Sequence, residues 1–307
     1  MATLKIKLNI NKKAVYDCFT FRNINSTRKR VHLLHTLYKI VILSVLCLFH
    51  SALIARAIHL DTYSSEQGLS QNSITCSITD KQGFHWFSTQ GGLNRFDGYE
   101  FKRFKSHPTE ASISGNWVTD CLAGDPHAIW FSTASNGLNL LDTQTGQFKV
   151  FNTQTELAIT DNRIWSLASD SLNNIWLGHE HGKLTRLNIV KNEVESFSYT
   201  SPEQANTVIQ DIVIDAQQNI WLATNEGLIK FNPELKTFKH IAKSHKNLWR
   251  LHLDTQGQLL LASKQGLSLF IPTTEAFAEF AQFADVWITD ILIDDTDTLW
   301  LTSDGKC

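Results

Sequence analysis

A chain of 307 residues with 42% hydrophobic and 19% charged residues has ample length for a large core and the composition of an ordinary globular protein. Its formal charge of -2 hides an asymmetry: residues 1–57 hold ten Lys and Arg (Lys5, Lys7, Lys12, Lys13, Arg22, Arg28, Lys29, Arg30, Lys39 and Arg56) against the single acid Asp17. The remainder carries 18 basic and 29 acidic side chains, and a body at -11 repels phosphate backbones, which argues against nucleic acid as a partner.

From the N-terminus, a basic region at residues 1–39 leads into an apolar run at 40–54, IVILSVLCLFHSALI, which is followed by Ala55-Arg56-Ala57. The run falls short of the roughly 20 residues a spanning helix needs, and the small-x-small ending suits a signal peptidase. Residues 40–57 are therefore expected to be helical, as the h-region of a signal peptide or as a retained membrane anchor with its basic side in the cytoplasm. Either reading exports the body, residues 58–307. Of the five cysteines, Cys18 and Cys47 belong to the leader, leaving Cys76, Cys121 and Cys307. Cys76 and Cys121 sit in neighbouring repeats but one register step apart, hence on opposite faces of their strands, so the sequence predicts that they are not paired.

The body repeats. Trp86, Trp130, Trp176, Trp221, Leu260 and Trp300 anchor six units at spacings of 44, 46, 45, 39 and 40 residues, the period of a four-stranded propeller blade. An aliphatic residue lies twelve positions before every anchor (Ile74, Val118, Ile164, Ile209, Leu248, Ile288). An Asp lies six before it in five units (Asp80, Asp170, Asp215, Asp254, Asp294), with Gly124 as the exception. That Asp opens a short turn, such as DSLNNIW, and is expected to cap it. After the anchor a Gly-containing turn leads to a third strand, and an aromatic segment such as FKVF forms a fourth. The anchors read as core between blades, and a second set, Trp117, Trp165, Trp249 and Trp287, reads the same way, with sugar stacking as the alternative. The expected fold is all-β: a β-propeller of four-stranded antiparallel blades, about five plus part of a sixth, hence incomplete, with one blade face uncovered.

Residues 68–104, GLSQNSITCSITDKQGFHWFSTQGGLNRFDGYEFKRF, closely resemble the two-component regulator propeller repeat. Gly68-Leu69-Ser70, the turn from Asp80 to Trp86, Thr89, Gly92-Leu93-Asn94-Arg95-Phe96 and Asp97-Gly98 carry the resemblance. Later units keep it more loosely, with Leu260 for Trp and Lys183 inserted between Gly182 and Leu184. The resemblance implies a ligand-sensing region on the periplasmic side of a bacterial inner membrane. It further implies a parent receptor that continues through a transmembrane helix to a histidine kinase or diguanylate cyclase output and forms a homodimer. The present sequence then reads as an N-terminal fragment without catalytic domain, whose N-terminal strand near residues 59–63 would close a ring.

No catalytic residue, metal site or cofactor is expected. His179-Glu180-His181 offers two ligands without a third, and Asp294, Asp295 and Asp297 lack the Gly and closing Glu of a calcium loop. Ten residues before the anchors lie Cys76, Asp120, Ser166, Asp211, Arg250 and Asp290. Of these, Asp120, Asp211, Arg250 and Asp290 are the candidate ligand-binding ring at a central channel, the alternative being hydration or hydrogen bonds to neighbouring blades. The expected ligand is a small molecule or carbohydrate. The competing readings are an exported propeller lyase or glycosidase, favoured by paired carboxylates or a His-centred site at one mouth, and a protein-binding scaffold.

Overall fold

Turn chemistry divides each repeat into four short strands, because Asp, Asn and Gly at the turns supply dihedrals that strand residues avoid. A computed structural model describes residues 2–5, 62–109, 111–124, 127–199, 206–294 and 298–304 of the chain. The helix expected at 40–57 and most of the closing strand expected at 59–63 lie outside the described residues, and Tyr63 itself is not in a strand. Among the described residues no helix is long and apolar enough to cross a membrane.

The described body is all-β, and the chain is a β-propeller array. A short strand β1 (Ala2–Lys5) precedes it. Blade 1 is β2 (Ile74–Thr79), β3 (His85–Thr89), β4 (Gly92–Phe96) and β5 (Phe101–Phe104). Blade 2 is β6 (Val118–Ala123), β7 (Ala128–Thr133), β8 (Leu138–Asp142) and β9 (Phe148–Phe151). Blade 3 is β10 (Ile164–Ser169), β11 (Ile175–His179), β12 (Lys183–Asn188) and β13 (Glu193–Ser198). Blade 4 is β14 (Ile209–Ile214), β15 (Ile220–Thr224), β16 (Gly227–Asn232) and β17 (Thr237–His240). Blade 5 is β18 (Leu248–Leu253), β19 (Leu259–Ser263), β20 (Gly266–Ile271) and β21 (Ala276–Glu279). Each of these sheets is antiparallel in sequential order. The sixth sheet is β22 (Ile288–Ile293) and β23 (Leu299–Ser303), with β1 antiparallel on the far side of β23. That place for four residues of the basic N-terminal region is not foreshadowed by the repeat pattern.

The repeat's Asp does more than cap. Asp170 Oδ1 accepts the backbone N–H groups of Leu172 and Asn174 at 2.9 and 3.0 Å, while Oδ2 accepts the indole N–H of Trp176 at 2.9 Å. Asp80, Asp215 and Asp294 hold Trp86, Trp221 and Trp300 in the same way at 2.7, 2.9 and 2.8 Å. One carboxylate thus closes the turn and fixes the rotamer of the residue that fills the next inter-blade wedge. In blade 5, where Leu260 replaces the tryptophan, Asp254 only caps. Asp170→Ala is therefore expected to cost about 3 kcal/mol, combining a lost cap with an orphaned buried indole N–H. Asp170→Asn, which keeps an acceptor, should cost roughly half as much by chemical denaturation.

The core is a series of equivalent seams. Trp130 of blade 2 packs on Ile164, Ile175, Leu177 and Leu187 of blade 3. Trp176 of blade 3 meets Ile209, Ile220, Leu222 and Phe231 of blade 4, and Trp221 meets Leu248, Leu259, Leu261 and Phe270 of blade 5. Each anchor therefore fills the hollow made by the same register positions of the following blade. The corresponding face of blade 1 holds a groove of about 390 Å³ lined by Tyr63, Ile74, Phe87, Phe96 and Phe101.

The structure corrects the expectation for the cysteines: Cys76 and Cys121 form a disulfide, with Cα atoms 5.8 Å apart. Opposite faces are what the bond requires. Two neighbouring blades turn opposite faces of equivalent sheets toward their shared seam, so a step of one register between repeats brings the side chains together.

Candidate ligand site in the central channel

The inner strands succeed one another around a common axis, β2 against β6, then β10, β14, β18 and β22. At that axis lies a cavity of about 380 Å³ to which all six blades contribute. A register shift recurs in every inner strand, between Ile74 and Cys76 and at each equivalent position through Ile288 and Asp290. The residue skipped by each bulge is Thr75, Thr119, Trp165, Gln210, Trp249 or Thr289, and all six line the cavity. A bulge twists its strand and re-aims one side chain, which here gives every blade one residue at the channel.

The ring expected ten residues before the anchors is displaced by the same bulge. Arg250 and Asp290 reach the cavity, with Arg250 Nε 3.6 Å from an Asp290 oxygen and Arg250 Nη1 donating to the Gln210 carbonyl at 3.2 Å. Asp120 and Asp211 lie in the seams. Asp120 Oδ2 accepts the backbone N–H of Leu167 in blade 3, and Asp211 Oδ2 that of Leu251 in blade 5, each at 2.8 Å. Ser166 Oγ donates to the Ile209 carbonyl at 3.0 Å, and Cys76 makes its covalent link to Cys121. From blade 1 to blade 6 this position stitches one blade to the next.

Burial pushes the carboxyls of Asp120 and Asp211 upward against the opposing pull of Arg250, and Asp211 is raised to about 7. A carboxyl raised on folding contributes stability that is complete below its unfolded pKa near 4 and is lost as pH climbs through about 7. Asp211→Asn should remove that loss and be favoured at pH 8 relative to pH 5 by about 2–4 kcal/mol against the parent. Denaturant midpoints of both proteins at the two pH values check it. The comparison also separates Asp211 from His179, which runs the other way. Burial lowers His179 to about 4, so its contribution is lost as pH falls from 6.5 through 4.

His179 is a structural histidine. Its Nδ1–H donates to the Arg163 carbonyl at 2.8 Å and Nε2 accepts from the Thr185 hydroxyl at 2.9 Å. Among the described residues no group of three or more His, Cys, Asp or Glu is placed to hold a metal. Asp295 and Asp297 lie outside the described residues.

The second tryptophan set departs from the core role expected for it. Trp117 is 46% exposed, and Trp117, Trp165 and Trp249 line the cavity. Trp165 donates to Glu180 Oε1 at 3.3 Å, and Glu180 pairs with Arg163, so one wall of the mouth is held by an ion pair. A place on the first strand of the unit suits core and channel alike, so the sequence alone does not separate packing from ligand stacking for this set. The bulge that turns Trp165 and Trp249 toward the axis is a property of paired strands and leaves no mark in one strand's pattern.

No family model matches the chain. It is similar to the extracellular domain of the hybrid two-component system BT3049 from B. thetaiotaomicron, with a TM-score of 0.70 and 24% identity over 79% of this chain and 34% of that one. The extracellular domain of BT4673 from the same organism aligns with a TM-score of 0.56 and 19% identity over 75% of this chain and 36% of that one. Virginiamycin B lyase from Staphylococcus aureus shares the fold with a TM-score of 0.59 and 11% identity over 75% of this chain and 77% of that one. Among curated proteins, histidine kinase P4 of Formosa agariphila is 27% identical over 35% of this chain and 12% of its own length. The chain thus spans about a third of the two-component domains it matches and about an eighth of the kinase. The resemblance to two-component regulator propeller repeats read from residues 68–104 holds for the fold of the whole array, which is the one found in extracellular domains of hybrid two-component systems.

Proposed function

We propose that the chain is an exported sensor module that binds a small molecule in its central channel and belongs to a transmembrane signalling receptor with a histidine kinase or cyclase output. The observation that carries this reading is the cavity itself, to which each of six blades supplies one bulge residue. A ligand touching several blades stabilises one relative packing of them, and a difference in affinity between two packings is the free energy available for signalling. Likeness to extracellular two-component domains supports the same reading, and the Cys76–Cys121 disulfide suits an exported body. Among the described residues, the charged side chains of the cavity lining are Arg250 and Asp290. The stitching roles of Asp120 and Asp211 assign them to support, with Arg250 and Asp290 as the charged contacts. Ligands, carbohydrates included, are expected to quench tryptophan fluorescence saturably. Trp165→Ala should weaken such binding about tenfold or more, and Trp165→Phe, which keeps an aromatic wall, should weaken it less. Quenching unaffected by Trp165→Ala would place the ligand elsewhere.

A further inference from the structure

The shape and charge of the channel mouth narrow the ligand class, an argument that rests on the sensing role proposed above. Trp117 and Trp165 meet at 90° with ring centroids 6.1 Å apart, so their indoles make a right-angled corner rather than a flat shelf. Trp249 gives the same cavity a third aromatic wall and is backed by Trp287 at 5.7 Å. Several indoles around one space attract a cation through their ring quadrupoles, and tryptophan does so most strongly. This aromatic cluster already holds one ammonium, since Lys264 Nζ lies 4.6 Å from the Trp287 centroid.

Charge points the same way. Asp290 is the carboxylate of the cavity lining, its side chain is 62% exposed there, and Arg250 Nε stands 3.6 Å from it to one side. The threonine hydroxyls of the lining spend their donors within the fold, which leaves Gln90, Gln210 and Arg250 as its other polar side chains. Thr75 donates to the Val118 carbonyl at 2.8 Å, Thr119 to the Ile164 carbonyl at 2.6 Å, and Thr289 and Thr302 bond each other at 2.8 Å. A cavity of 380 Å³ has room for far more than an ammonium group, which favours an organic cation over a metal ion.

We propose that the channel mouth recognises an organic cation, whose quaternary or primary ammonium group sits between Trp117, Trp165 and Trp249 within the field of Asp290. The test uses choline, its uncharged carbon isostere dimethylbutanol, and maltose, each titrated into the full chain by calorimetry. Choline should bind at least about tenfold more tightly than the isostere, and Trp117→Ala, at an exposed position, should weaken it about tenfold. Asp290→Asn should weaken it severalfold and reduce its salt dependence, because a screened charge contact is removed. Equal binding of choline and the isostere overturns the cation assignment. So does saturable maltose binding that is lost in Trp117→Ala with no choline binding, and in that case the sensing role of the channel stands. If neither probe binds saturably, the cation assignment fails, while the role of the channel is decided by the separate Trp165→Ala quenching experiment.

Discussion

Arg250→Ala is expected to destabilise the array by about 2 kcal/mol, less than for a fully buried pair because Arg250 lines the cavity and its nearest partner, Asp290, is 62% exposed. Arg250 is the cation in whose field Asp211, Asp120 and Asp290 all sit, and it ties the Gln210 carbonyl of blade 4 to blade 5. Without it, the buried seam carboxyls of Asp120 and Asp211 lose the charge that offsets their burial, and the penalty for ionising Asp211, already raised to about 7, grows. The loss should accordingly be greater at pH 8 than at pH 5, where protonation relieves that penalty. Arg250→Lys restores the charge but not the planar fork and should recover about half of the loss. Guanidinium denaturation at the two pH values reads all three proteins, and a loss independent of pH would show that the side chain acts by packing alone.

Reduction of the Cys76–Cys121 disulfide is expected to cost about 4 kcal/mol. The bond spans a sequence separation of 45, and closing a loop of that size removes roughly that much chain entropy from the unfolded state. Cys121 is buried in the seam with Trp86, Ile129 and Phe131, so the double variant Cys76→Ala, Cys121→Ala loses some packing as well. Comparing the reduced parent with the double variant separates the two effects. The parent with and without a phosphine reductant should differ in midpoint, and the double variant should not respond to reductant at all.

Much of the architecture was legible because it is written redundantly. A tryptophan or leucine at near-constant spacing, an Asp six residues before it and an aliphatic residue twelve before it recur in register, and each reports a local need: a turn closed, an indole held, a seam filled. The second duty of the Asp was not legible, since the indole N–H returns to it only once the hairpin has formed. The cysteines were misread because their relation was judged within a single sheet, whereas the bond crosses from one blade's face to the opposite face of the next. The candidate ring was half legible. Arg250 and Asp290 reach the channel, while Asp120 and Asp211 serve the seams.

What the sequence by itself determined is the unit: strand lengths, turn positions, the residues that fill each wedge, and the number of times the unit recurs. These follow from dihedral preference and periodicity, which act over a few residues and survive in any context. Which side chains face the axis was decided only by the tertiary structure. A bulge costs one residue of register in each inner strand, its placement depends on how two strands pair, and that single step exchanges the residues of the seam for those of the channel.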